Sequence, residues 1–200
     1  MRPSVFIVDD DDAVRDAISL WLSCHHYDTH CFADAAHFIK HLTGDAQGCI
    51  IADIRMPGMD GLELQAQLNL MHCQLPLIFI TGHGTVPMAV EAMRNGAQDY
   101  LRKPVNEQQL LVKVEQAFAI DQVNSQRRCL ALQRQTRLTR LTHREQQVAA
   151  RVVEGLPNKA IASELGISDR TVEVHRANVM LKLEVKTLAQ LVKNYLDIGH

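Results

Sequence analysis

No apolar run in this sequence approaches the roughly 18 residues of a membrane-spanning helix, so a helical span is excluded. No low-complexity tract interrupts it either, which speaks for a folded, soluble chain. Cysteines are few and odd in number. Cys24, Cys31, Cys49, Cys73 and Cys129 include no C-x-x-C pair, which speaks against both a disulfide framework and a structural zinc site. They are expected to be reduced and mostly buried. The opening Met1-Arg2-Pro3 runs directly into a strand-like segment, and a cytoplasmic location is expected.

What is present suffices for two compact domains: 200 residues, 46% of them hydrophobic. The net charge of −2 hides an asymmetry. Up to residue 120, 8 Lys and Arg face 15 Asp and Glu, a balance of −7; beyond it 13 face 8, a balance of +5. An acidic half suits a bound metal, and a basic half suits a polyanion.

In the acidic half, strand-like runs alternate with helical periodicity. Ser4-Val5-Phe6-Ile7-Val8 precedes a helix carrying Val14, Ala17, Ile18, Trp21 and Leu22. Tyr27 to Phe32 reads as a short strand, and Ala35 to Leu42 as a helix with Phe38, Ile39 and Leu42 inward. After Cys49-Ile50-Ile51-Ala52, the segment Gly61 to Leu70 places Leu64 and Leu68 one turn apart. After Leu77-Ile78-Phe79-Ile80, Thr85 is positioned to cap a helix with Pro87 in its first turn, Ala89, Val90 and Met93 as its apolar positions, and an end at Gly96. Tyr100-Leu101 forms a fifth strand, and Glu107 to about Ala119 a fifth helix with Leu110, Leu111, Val114 and Phe118. Five such units imply a doubly wound parallel sheet. Residues 119–140 are rich in Gln, Arg and Leu without Gly or Pro, so the helix is expected to continue. Asn124, Arg127 and Arg134 fall in the register of Ile120, Ala131, Leu138 and Leu141, so no clean heptad supports a coiled coil.

Parallel strands bring their carboxyl ends to one edge of the sheet. Asp9 and Asp10 follow the first run, Asp53 the third, Thr81 the fourth and Lys103 the fifth, so these side chains converge in one crevice. Three packed carboxylates repel one another unless a divalent cation neutralises them, and an all-oxygen set suits Mg²⁺. A carboxylate attacking a phosphoryl group meets like charge, which a bridging metal and a cation on the far oxygens relieve. In that scheme Asp53 is the nucleophile and Asp9 and Asp10 hold the metal. Thr81 donates a hydrogen bond to one phosphoryl oxygen and Lys103 pairs with another. Pro104 suggests a cis bond that turns the lysine into the crevice. Asp11 and Asp12 are read as complementing the dipole at the start of the first helix. His37 and His41 have i, i+4 spacing without a nearby third ligand and read as surface residues. His83, beside the crevice, is assigned no chemistry.

The stretches FIVDDDDAVR, ADIRMPGMDGLEL and FITGHGTVPMAVEAMRNGAQDYLRKP resemble the receiver domain of bacterial two-component response regulators. The resemblance implies a flavodoxin-like, doubly wound, five-stranded parallel receiver domain over residues 1–120. It implies phosphorylation of Asp53 by a sensor histidine kinase, with Mg²⁺ on Asp9, Asp10, Asp53 and the backbone carbonyl of Arg55. It makes Thr81 and Lys103 the phosphoryl-stabilising pair and Tyr100 an aromatic switch. When Thr81 shifts toward the phosphoryl group, space opens for the Tyr100 ring to turn inward, remodelling the face formed by the fourth helix, fifth strand and fifth helix.

The last 60 or so residues show only helical patterns. Thr142-His143-Arg144-Glu145 is a capping box ahead of Val148, Val152 and Val153. Asn158 to Leu165 is a short second helix, Gly166-Ile167 a tight turn, Ser168 the cap of a third helix running to about Leu183, and Thr187 the cap of a fourth. Two short helices joined by a Gly turn match helix-turn-helix geometry. The run LTHREQQVAARVVEGLPNKAIASELGISDRTVEVHRANVMLKL resembles the LuxR/NarL-type domain, and within it TVEVHRANVM and GLPNK resemble the FixJ subfamily. By that resemblance Glu173, Val174 and Ala177 face bases, with cytosine N4 a partner for Glu173. Lys159, Arg170, Thr171 and Arg176 are placed for phosphates or groove edges. Arg170, Arg176 and Lys182 are read as DNA-facing cations, and Val148, Val152, Ile161, Leu165, Ile167, Val172 and Val179 as core.

The expected function is a phosphorylation-switched transcription factor, with 121–138 as a helical linker and 139–200 as an all-α four-helix DNA-binding domain. Expected partners are a sensor histidine kinase, double-stranded promoter DNA and, on phosphorylation, a second copy through Val86 to Gly96 and the following strand. RNA polymerase is a further candidate, and no membrane is involved. Members of the FixJ subfamily are usually activators, which makes activation the expected direction. Release of the DNA-binding domain from an inhibitory contact with the unphosphorylated receiver is a second expected element. Chemistry is limited to accepting the phosphoryl group and slow self-dephosphorylation, so the chain is not read as an enzyme. The competing reading is a haloacid-dehalogenase-like phosphatase, because Asp10-Asp11-Asp12-Ala13-Val14 fits D-x-D-x-[TV]. It would place the phosphate on Asp10 and leaves the C-terminal helices unexplained.

Overall fold

A computed structural model describes residues 4–82 and 84–196, without the side chains of 131, 134 and 194–196. The chain divides into two compact units, Met1–Ser125 and Gln126–His200. Five strands form the sheet of the first unit: β1 (Ser4–Val8), β2 (Asp28–Phe32), β3 (Cys49–Asp53), β4 (Leu77–Thr81) and β5 (Asp99–Arg102). All pairings are parallel, in the order β2-β1-β3-β4-β5. Between and after them come α1 (Asp12–Cys24), α2 (Ala35–His41), α3 (Gly61–Leu70), α4 (Val86–Arg94) and α5 (Glu107–Leu138).

Alternation along the strands divides the core into two layers. Val5 and Ile7 of β1, Cys49 and Ile51 of β3, and Ile78 and Ile80 of β4 meet Ile18 and Leu22 of α1 and Leu110, Val114 and Ala117 of α5. Ile50, Ala52, Leu77 and Phe79 face the other way, onto Phe38 of α2, Leu64 and Leu68 of α3 and Ala92 of α4. With both faces covered, β3 and β4 are buried at every residue, which is why each reads as an unbroken apolar run. Strand order reverses between β1 and β3, and the crevice at their carboxyl ends is where a doubly wound sheet accepts ligands.

Asp11 is the N-cap of α1, accepting from the Ala13 N–H at 2.9 Å, and Asp12 stands in the first turn. Thr85 occupies the N-cap position of α4 without a side-chain capping bond. The apolar positions expected on this helix are corrected: Ala92 is its fully buried residue, while Val90 and Met93 are exposed together with Val86. Met88 is partly buried against the same core layer as Ala92, while Val86, Val90 and Met93 lie on the outer side. Cysteine burial is corrected too. None of the five forms a disulfide, but Cys49 alone is buried; Cys24, Cys31 and Cys129 are exposed. Cys31 lies on β2, an edge strand whose residues are largely solvated. The helix leaving β5 runs unbroken for 32 residues, as the absence of Gly and Pro implied, and the Lys103–Pro104 bond is cis.

At the opposite end of the sheet from the crevice, Gly48 has φ of +131° and its N–H donates to Oδ2 of the buried Asp121 at 2.8 Å. A Cβ there would overlap the Ser4 carbonyl oxygen, so glycine is required both by conformation and by space.

The second unit holds α6 (His143–Val153), α7 (Asn158–Leu165), α8 (Asp169–Lys182) and α9 (Leu188–Leu196). Thr142 and Glu145 form the expected capping box, and Ser168 caps α8 through the Thr171 N–H. Gly166 closes α7 at φ +65°, a left-handed conformation that glycine adopts without a Cβ clash. Val148, Val152, Ile161, Val172 and Val179 form the core as expected, joined by Ala149, Leu183 and Leu191; Leu165 and Ile167 are only partly buried against it. Among the described residues no helix is long and apolar enough to cross a membrane.

Candidate functional site

The register explains the crevice. Val8 pairs with Ala52, so the next residues, Asp9 and Asp53, stand side by side, and Thr81 ends the neighbouring strand beside Arg102. Asp9, Asp53 and Thr81 are buried and Asp10 is exposed at the rim. Asp9, Asp10 and Asp53 each present an oxygen within 4.8 Å of the others. The Lys103 ammonium, following β5, donates to Asp9 Oδ2 at 2.6 Å and Asp53 Oδ2 at 2.7 Å. The Arg55 N–H donates to Asp53 Oδ1 at 3.1 Å, and the Asp11 N–H to Asp9 Oδ1 at 3.0 Å.

Burial pushes the Asp9 carboxyl upward and the nearby Asp53 charge adds to this, while the Lys103 and Asp11 hydrogen bonds pull it back, leaving a net rise. Burial pulls the Lys103 ammonium downward, but its bonds to Asp53 and Asp9 outweigh that and hold it above the usual lysine range. The site therefore keeps its lysine charged and its acids under mutual repulsion. A hard, all-oxygen donor set of this kind is compatible with a divalent cation.

Two features near the crevice were not foreseen. Arg15 of α1 donates to the Asp9 carbonyl and pairs with Asp12. Tyr100 has its hydroxyl buried with no hydrogen-bond partner, and burial raises its pKa, helped by the Asp53 charge. A Cβ on Gly84 would overlap Tyr100 Oη and lie 2.7 Å from Thr81 Cγ2, so the ring already occupies the inward space beside Thr81. The GHG run after Thr81 carries the signal for this close approach, but nothing local says that the approaching group is a ring sixteen residues on. His83 lies outside the described residues. His37 and His41 sit edge to face on the exposed side of α2, with no third ligand among the described residues.

In the second unit, Arg170, Glu173, Val174 and Ala177 are exposed on α8 at i, i+3, i+4 and i+7, one stripe of the helix, and Lys159 is exposed on α7. Arg170 pairs with Glu173 at 3.1 Å. Thr171 is half-buried in the cap, its hydroxyl 2.7 Å from that of Ser168. Arg176 is also half-buried and donates to Asn158 Oδ1 at 2.8 Å, tying α8 to the start of α7. Lys182 is not a free cation: its ammonium donates to Oε2 of buried Glu145 at 2.7 Å, joining α8 to the capping box of α6. The same oxygen accepts the Thr142 N–H at 2.7 Å.

Residues 5–115 match the model of the response regulator receiver domain, and residues 139–194 that of the luxR family of bacterial regulatory proteins. The transcriptional regulatory protein FixJ of Bradyrhizobium diazoefficiens is 39% identical, over 98% of this chain and 95% of its own. The response regulator protein TodT of Pseudomonas putida is 39% identical, over 94% of this chain and 83% of its own. Among solved structures, the response regulator StyR superposes with a TM-score of 0.84 at 43% identity, covering 98% of this chain and all (100%) of that one. Full-length FixJ from B. japonicum superposes with a TM-score of 0.60 at 38% identity, covering 100% and 98%. The chain belongs to the response regulators, in the class that joins a receiver domain to a LuxR-family DNA-binding domain. It is a transcription factor of the FixJ-like group, not a member of a classical enzyme family, and the phosphatase reading is set aside.

Proposed function

We propose that residues 1–120 form the phosphoacceptor domain, 121–138 a helical linker and 139–200 the DNA-binding domain, and that Asp53 accepts a phosphoryl group from a sensor histidine kinase. The single observation carrying this reading is the Lys103 ammonium bonded to both Asp9 and Asp53, beside buried Thr81 at the strand ends. An Asp53 oxygen attacks phosphorus; the new P–O bond forms as the P–N bond to the kinase imidazole breaks, and the imidazole leaves with a proton from solvent. Lys103 shifts its hydrogen bonds to a phosphoryl oxygen, and the Thr81 hydroxyl donates to another. Asp9, Asp10, Asp53 and the Arg55 carbonyl would hold Mg²⁺, which when bound supplies charge neutralisation between the carboxylates and the phosphoryl oxygens. Labelling with acetyl phosphate or beryllofluoride in Mg²⁺, followed by peptide mapping, should place the modification on Asp53. Modification of Asp10 instead would overturn the assignment.

Self-association on phosphorylation is proposed through α4 and β5, supported by the exposed Val86, Val90 and Met93. Tyr100, already inward, belongs to the same face. Two copies then present α8 to a two-fold promoter site in the major groove, with Glu173, Val174 and Ala177 at base edges and Lys159, Arg170, Thr171 and Arg176 toward phosphates. Activation, contact with RNA polymerase, release from an inhibitory receiver contact, slow self-dephosphorylation and action in the cytoplasm complete the proposal.

Binding to DNA should weaken steeply with salt. Arg170→Ala should lower the slope of log affinity against log salt by about one if the side chain neutralises one phosphate. Arg176→Ala should change the slope less, because Asn158 already holds its guanidinium. Fluorescence anisotropy with a labelled operator at several salt concentrations reads both. An unchanged slope for Arg170→Ala takes that residue off the phosphate backbone.

A further inference from the structure

One side of α5 is turned inward, where Leu110, Val114, Ala117 and Asp121 are buried. On the opposite side Val112, Val123 and Leu130 are about half exposed, and Ala119 between them is exposed as well. Gln109, Gln116, Gln126 and Gln133, also exposed, complete a run whose steps alternate between three and four residues. That spacing is the a/d repeat of a two-stranded coiled coil, sustained over more than three heptads and about 36 Å of helix. Every charge of the segment, from Lys113, Glu115 and Asp121 to Arg127 and Arg128, lies off this stripe. The register through Ile120, which Asn124 and Arg127 interrupt, is a different one, about a quarter turn round the helix. The next a position is Arg137, which pairs with Glu184 at 2.8 Å, so the stripe ends at Gln133.

Whatever covers this side must match an uncharged, alternating pattern along its whole length. A second copy of the chain does so by symmetry. In a parallel, in-register pair the apolar residues each meet their own kind, and each glutamine amide, donor and acceptor at once, can bond its equivalent. The flanking charges select this direction. Parallel pairing sets Lys113 and Arg127 against Gln108 and Gln122 of the second copy, whereas an antiparallel pair that matched Val112 with Leu130 would set Lys113 against Arg127.

We infer that α5 is a parallel self-association surface, along which two copies of this chain pair from Val112 to Gln133. The contact is separate from the one proposed for α4 and β5 and does not involve Asp53. Four glutamines among its eight positions make it weak, so it is populated in concentrated solution, where it brings two DNA-binding units together without a phosphoryl donor. Sedimentation velocity of the full chain without donor, from about 5 μM to about 500 μM, should show a reversible monomer–dimer equilibrium. Val123→Glu and Leu130→Glu each place like charges in one layer and should weaken it by roughly tenfold or more. Both positions are exposed, so circular dichroism should stay unchanged. Val90→Glu on α4 should leave the donor-free equilibrium as it is while removing donor-driven dimerisation, so the two contacts fail separately. On mild oxidation, Gln126→Cys combined with Cys129→Ser should give a disulfide-linked dimer above the background of Cys129→Ser alone. A chain that is monomeric throughout that range overturns the inference. So does an association that Val123→Glu and Leu130→Glu leave unchanged, or one that Val90→Glu removes. No excess disulfide from Gln126→Cys overturns it too, because an antiparallel pair would face that position with Gln116.

Discussion

Asp53→Asn should abolish every response to a phosphoryl donor. With acetyl phosphate and Mg²⁺, the parent chain should form a dimer by light scattering and bind operator DNA more tightly, by about 5- to 150-fold if coupling between the two sites is of ordinary size. The substituted chain should show neither change. An amide at position 53 is isosteric but carries no nucleophilic oxygen pair, and its NH₂ group would face the Lys103 ammonium that now donates to Asp53 Oδ2 at 2.7 Å. The Arg55 N–H can still find an oxygen at that position, so the fold around β3 should survive. Two results would count against the reading, and they differ. Donor-driven dimerisation that persists in the variant would put the acceptor elsewhere. Full DNA binding and dimerisation insensitive to the donor in both chains would make the receiver a constitutive dimerisation module.

Replacing Glu145 by Gln should destabilise the DNA-binding unit by about 2 to 3 kcal/mol at neutral pH. The value lies below the roughly 3 to 5 kcal/mol of a fully buried pair that loses one partner, because the Lys182 side chain is 34% exposed and solvent screens it. The hydrogen bond from Lys182 is the main cause that holds the Glu145 carboxyl below the usual glutamate range; burial opposes it and the Thr142 bonds add to it. A carboxyl whose pKa is depressed by folding contributes stability in full above its unfolded-state pKa, and that contribution is lost as pH falls through the folded-state value. The gap between parent and variant should therefore be widest at neutral pH and close in the acid range, below the ordinary glutamate value of about 4.3. Urea unfolding separates the units optically, because the single tryptophan, Trp21, lies in the first and far-UV circular dichroism reports both. A fluorescence transition that stays fixed while the dichroism transition weakens is the expected pattern. Equal stability at pH 7 would mean that the Lys182 contact contributes nothing.

Much of the receiver fold was legible because a parallel sheet covered on both faces writes its strands as apolar runs. The polar residue ending each run marks a carboxyl end, so the sequence alone assigns Asp9, Asp53, Thr81 and Lys103 to one edge. Capping was equally local: Asp11, Thr142, Ser168 and Thr187 each bond a backbone N–H two or three residues ahead. The face of α4 was not legible. Ala89, Val90 and Met93 satisfied a helical stripe, yet the side turned to the core carries Ala92 and Met88, and hydrophobicity by itself cannot report which side of a helix the sheet covers. Cys24 and Cys31 were misread for the same reason, since burial depends on what lies opposite.

Order along the chain thus determined the elements, their polarity and which chemical groups reach the crevice, because those follow from dihedral preference and from a side-chain period of two or 3.6. Tertiary structure alone decided how charges and polar atoms are matched: Lys182 with Glu145 across 37 positions, Lys103 with Asp9 across 94, Arg176 with Asn158, and Gln65 Oε1 with no protein partner. Such pairings depend on distance through space, and a Coulomb or hydrogen-bond energy that is decided within a few ångströms leaves no periodic trace in the sequence.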